Sequence, residues 1–156
     1  MQKRLNLAAL ILSIAVAAAA LSTRRQSANS IQDPFSGAWR LTSLEEPDAA
    51  GAIHTAECTG MLVFSRDGHI SVQVMYKNPQ PGHAAAPVQY AEGGYEASFG
   101  RYEVNDGNTF TFHVEGALVR RLVGKDLRRS YQISGNQMIV KSVDPNEHWK
   151  VVWERY

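Results

Sequence analysis

The chain has 156 residues, with 16 lysines and arginines against 15 aspartates and glutamates, and a single cysteine. A formal net charge of +1, without a basic cluster interleaved with aromatics, gives no footing for a nucleic-acid partner. One thiol excludes an internal disulfide, so any fold must hold by packing alone.

The chain opens MQKRLNLAALILSIAVAAAALSTRRQ: Lys3 and Arg4, an apolar run over 5–21, then small and polar residues. That is the layout of a cleavable signal peptide, placed at 1–22, and it predicts an exported protein, periplasmic or secreted. The alternative is a retained membrane anchor through 5–21. The run is interrupted by Asn6 and diluted by alanine, which is marginal for a hydrocarbon core of about 30 Å. Cleavage would leave no membrane span and would remove Lys3 and Arg4, tipping the balance to one net negative charge. Residues 23–33, TRRQSANSIQD, are polar and aperiodic and read as a flexible linker. The folded domain is expected over 34–156.

After Pro34 the pattern changes to short apolar alternations separated by turn signals. Eight strands are expected, at 38–45, 59–65, 69–76, 100–105, 109–115, 127–134, 137–143 and 150–155. Asp67-Gly68, Asp106-Gly107 and Gly135-Asn136 supply tight-turn chemistry for three hairpins. Cys58 precedes the second strand and reads as a small, partly buried residue rather than an activated nucleophile. Between the third and fourth strands, Pro79, Pro81, Gly82 and Pro87 forbid regular structure in the first half of 77–98. Residues 88–98 admit a short helix started by Pro87, weakened by Gly93 and Gly94. Such an insertion is either a lid at one mouth or a passive surface loop. The connection 116–126, GALVRRLVGKD, has the same two readings.

Antiparallel strands in hairpin order close readily, because closure removes unpaired edges. With eight strands the interior holds side chains or one small ligand. The expected architecture is therefore all-β: an eight-stranded antiparallel up-and-down barrel with a short helix or loop insertion at one mouth. An open sandwich is the runner-up.

Several blocks carry a resemblance. GAWRL at 37–41 resembles the Gly-x-Trp signature that opens the first strand of lipocalins. GMLVFSRDGHISVQVM (60–75), YEASFGRYEV (95–104), HVEGAL (113–118), VGKDLRRSY (123–131) and VVWER (151–155) are similar, in that order, to bacterial and fungal lipocalin-like domain proteins. The resemblance implies a small barrel with an apolar cavity and says little about chemistry. It also implies that Trp39 closes the barrel floor, with a late arginine packed across it. Arg155 is the candidate, since a guanidinium stacks well on an indole face. Phe112 before the histidine of HVE, and ALVRRL after EG, depart from the family pattern and weaken transfer of a family site.

The stretch TFTFHVEG (109–116) poses the chemical question. Phe110, Phe112 and Val114 share one strand face, and His113 and Glu115 the other. An apolar face normally turns to the core, which would leave His113 and Glu115 in water. The HVEG block of the family points instead to the lumen, where His113 could act as general base with Glu115 fixing its tautomer. Arg129 shares a face with Leu127, Tyr131 and Ile133, so it is expected inside, with Glu115 or Glu103 as a carboxylate partner. Tyr76, Tyr102 and Tyr131 are further candidate lining residues, each with an ordinary wall position as the plainer reading. No zinc-type spacing links His54, His69, His83, His113 and His148, and no nucleophile elbow, phosphate loop or dinucleotide fingerprint occurs. No metal and no cofactor is expected.

Three functions follow from these features. The first is an exported barrel that binds a small apolar or amphipathic molecule. The second is a small barrel enzyme of isomerase, cyclase or hydrolase type using His113 and Glu115. The third is an envelope or stress protein without an open pocket.

Overall fold

A computed structural model of the protein describes residues 33–48, 50–78 and 94–156. The expected signal peptide, the linker up to residue 32, and the part of the insertion at 79–93 lie outside the described residues. Among the described residues nine strands follow one another: β1 (Gly37–Pro47), β2 (Ile53–Thr55), β3 (Cys58–Phe64), β4 (His69–Tyr76), β5 (Tyr95–Asn105), β6 (Thr109–Ala117), β7 (Asp126–Ser134), β8 (Gln137–Ser142) and β9 (Lys150–Arg155). A single 3-10 turn, Arg120–Leu122, sits between β6 and β7. The strands pair antiparallel in the order β1-β3-β4-β5-β6-β7-β8-β9, and β9 returns to β1. The result is a closed eight-stranded barrel. The three-residue β2 pairs only with the end of β1 and is the one strand with no counterpart in the sequence expectation.

The hairpin turns form where their chemistry allows. Gly107 and Asn108 take φ of 73° and 57°, a region that glycine enters freely and asparagine at low cost. The short helix expected at 88–98 is corrected at its C-terminal end. Residues 95–98 open β5 and pair with β4, Tyr95 opposite Met75 and Ser98 opposite Val72. An existing strand edge in β4 outweighs the weak helix propensity of a segment that follows two glycines.

Two bulges decide which side chains enter the barrel. In β1, Leu41 faces Trp153 and Ser43 faces Val152, so Thr42 is an extra residue. The inward set changes there from Trp39 and Leu41 to Leu44 and Glu46. In β6, Val114 faces Gly100 while Gly116 faces Phe99, which leaves Glu115 as the extra residue.

One end of the barrel is solid. The segment ahead of β1 crosses it, and the Phe35 ring packs edge-on against Tyr131 and Phe64 at centroid distances of 4.6 and 5.1 Å. Trp39 is fully buried and its indole N–H donates to the Phe35 carbonyl at 2.8 Å. The Arg155 guanidinium lies 4.2 Å over the Trp39 ring and donates to the carbonyl oxygens of Ser36 and Pro34. Asp33, placed at the end of the expected linker, belongs to this floor. Its carboxylate accepts from Phe35 N–H, Ser36 Oγ and the Tyr102 hydroxyl.

Candidate functional site

Above the aromatic floor the side chains stop filling the barrel, and a cavity of about 140 Å³ remains. Its walls are mainly apolar: Leu62 from β3, Ile70, Val72 and Val74 from β4, Phe112 from β6, and Val140, Val151 and Trp153 from β8 and β9. Leu122, on the 3-10 turn, also lines it, so the 116–126 connection contributes to the cavity wall. The other long connection leaves β4 at Tyr76 and rejoins β5 at this same end, where Tyr76 N–H donates to the Gly94 carbonyl. A larger groove of about 220 Å³ runs along the outer face of β3 and β4 past Met61, Gln73, Met75 and Tyr156, but it is open to solvent and encloses nothing.

Three hydrophilic side chains among the described residues line this cavity: Glu96, Ser98 and Arg129. Glu96 and Ser98 are inward because β5 alternates, with 96, 98, 100 and 102 on one face. Glu96 is 5% exposed, and neither carboxylate oxygen has a hydrogen-bond partner among the described residues. Burial pushes its carboxyl above the ordinary 4.5. The Ser98 hydroxyl works in the opposite direction, though outside normal hydrogen-bond geometry.

Arg129 is neutralised locally. Its guanidinium contacts the Glu147 carboxylate at 3.2 Å and lies 5.0 Å from the Trp149 ring centroid. Glu147 also accepts from the Trp149 indole N–H at 3.2 Å. The three side chains form a clamp that holds the 143–149 turn over the barrel wall. Burial pushes the arginine down, while Glu147 and Asp144 hold it up. Its carboxylate partner is thus Glu147, and not Glu115 or Glu103 as the strand pattern suggested. Glu147 was missed because it lies in a loop, where face periodicity carries no information.

His113 and Glu115 are on the outer surface, so of the two readings of the strand the solvated one holds and the lumenal acid/base pair is corrected. The His113 side chain is 40% exposed, with Nδ1 at 2.7 Å from Asp126 and Nε2 at 3.9 Å from Glu103. Glu115 lies at the bulge, 3.9 Å from the Arg101 guanidinium. The two do not serve each other, because Phe110, Phe112 and Val114 claim the interior. No group of three metal-ligating side chains forms among the described residues.

The tyrosines divide by height. Tyr102 and Tyr131 are inside but in the filled half, Tyr102 with its ring 4.9 Å from Phe64 and its hydroxyl 2.9 Å from Asp33. Burial, and then that carboxylate, pushes the Tyr102 hydroxyl well up. Tyr76 is at the mouth, its hydroxyl donating to Glu46. Cys58 pairs with Tyr76 across β3 and β4, and burial followed by the Glu46 charge pushes its thiol up to about 11. A thiol at that value is not a nucleophile near neutrality.

Sequence reasoning also missed Glu96. The signal was present, since Glu96, Ser98, Gly100 and Tyr102 share a period of two. It was obscured because the strand was expected to start only at Gly100.

Residues 36–156 match the model of the lipocalin-like domain family. No curated protein matches the chain. Among solved structures, a lipocalin-like protein from Bacteroides uniformis is 14% identical, with 79% of this chain and 99% of that one covered and a TM-score of 0.47. An uncharacterized protein from Bacteroides eggerthii is also 14% identical, covering 78% and 99%, with a TM-score of 0.46. A mutant of the fluorescent protein UnaG is 12% identical, covering 81% and 99%, with a TM-score of 0.41. The family match spans the whole closed barrel from β1 to β9, and the chain belongs to the lipocalin-like domain family.

Proposed function

We propose that this lipocalin-like chain is an exported protein that binds a small, mostly apolar molecule in the barrel lumen. The observation that carries the reading is the apolar cavity of about 140 Å³ above a solid aromatic floor. Pockets for drug-sized ligands run to roughly 300–1,000 Å³, whereas an apolar cavity of about 150 Å³ admits benzene. The ligand, or the part of it that enters, is therefore about the size of one aromatic ring. Export rests on the leader-like residues 1–22, and N-terminal sequencing of the mature protein reads it directly.

Thermal unfolding with increasing toluene tests the lumen. Binding to the folded state alone raises Tm in a saturable way. The rise is expected in the protein and not in Val74→Phe, whose added ring fills the cavity. Absence of a saturable shift across a panel of one-ring apolar compounds would sink the reading.

A further inference from the structure

Glu96 is the feature of the lumen that apolar ligand binding leaves unexplained. It is one of the least exposed polar residues of the barrel, and both of its oxygens are unpartnered among the described residues. A neutral hydroxyl would bring one donor for two acceptors. An ammonium group brings three donors and the opposite charge, and so satisfies both oxygens while offsetting the cost of burying the carboxylate. Among the described residues, no free basic side chain provides that countercharge. Arg129, the basic side chain in the same cavity, is already paired with Glu147 and packed on Trp149.

From the Glu96 carboxylate, unpartnered among the described residues inside a mainly apolar cavity, we infer that the lumen selects a small primary amine, its ammonium on Glu96 and its one-ring or short-alkyl body against Val72, Val74 and Phe112. Carboxylic acids are excluded, since they would bring a second negative charge to a site without a free cation among the described residues. The inference rests on the lumen reading proposed above and adds the chemistry of the ligand head.

Benzylamine, benzyl alcohol and benzoate share one body and differ in the head, so calorimetric titration of the three separates the two claims. Benzylamine is expected to bind at least about tenfold more tightly than benzyl alcohol, the scale of one charged hydrogen-bonded contact, and benzoate not at all. Glu96→Gln should bring benzylamine down to the level of benzyl alcohol and leave the alcohol unchanged. Alcohol binding without preference for the amine, benzoate binding as tightly as the amine, or an amine preference that survives Glu96→Gln each overturns the ammonium assignment and leaves the lumen reading standing. Failure of all three compounds to bind overturns both. The comparison among ligands on the unaltered protein decides the matter even if the variant does not fold.

Discussion

Glu96 costs the folded barrel stability in a way that depends on pH. Its carboxyl is raised in the folded state above the ordinary 4.5. Below that value both folded and unfolded chains hold the proton, and the group costs nothing by titration. As pH rises past it, the unfolded chain releases its proton while the folded chain keeps it, so stability falls until the folded carboxyl ionises too. Glu96→Leu removes the titration and the unpartnered oxygens, and should stabilise the protein by about 1–3 kcal/mol at neutral pH. The gain should shrink when urea unfolding is repeated at about pH 4, and a gain independent of pH would remove the titration argument. A residue that opposes folding at the wall of a cavity is where a ligand contact is expected. His113 illustrates the opposite case: its exposed partners, Asp126 and Glu103, make a surface cluster with no enclosed space for a substrate.

At the scale of strands, the bulges determine the contents of the lumen. Leu44 and Glu46 enter because Thr42 is extra in β1, and no alternation read along 38–45 places them inside. The β6 bulge at Glu115 brings the backbone of β5 unusually close, and a Cβ on Gly100 would run into the His113 carbonyl oxygen. Gly100→Ala should therefore destabilise the barrel by about 1–3 kcal/mol, read as a lower urea midpoint. An unchanged midpoint would mean that the two strands separate at little cost. The eight barrel strands were legible from alternation and turn residues, because each buries one face and each tight turn needs glycine or asparagine. The start of β5 was not, because 88–98 has composition compatible with a helix and its pairing partner is set by β4, some twenty residues earlier.

Across the whole molecule, closure joins the two ends of the described domain. β9 completes the barrel on β1, and Arg155 ties it to the floor by stacking on Trp39 and donating to the carbonyl oxygens of Pro34 and Ser36. Arg155→Met keeps much of the side-chain bulk and removes the donors and the cation. It should cost about 2–4 kcal/mol, the sum of two charged hydrogen bonds and a partly buried cation–π contact less what the methionine recovers, with unfolding still a single transition. A loss confined to the floor, with two separate transitions, would show that the floor is not part of the cooperative barrel. The same closure makes the cavity small, because Phe35, Tyr102 and Tyr131 occupy the lower half that a larger ligand would need.

The sequence by itself determined the all-β class and the eight barrel strands, which follow from local alternation and turn chemistry, while the Trp39–Arg155 pair was implied by the lipocalin resemblance. Only the tertiary structure decided that His113 and Glu115 face water, that Arg129 meets Glu147, and that Glu96 lines the cavity with no hydrogen-bond partner among the described residues. The physical reason is that a strand's periodicity tells which residues share a face. Which face becomes the interior, and where a bulge exchanges the two, depends on pairing between segments far apart in the chain.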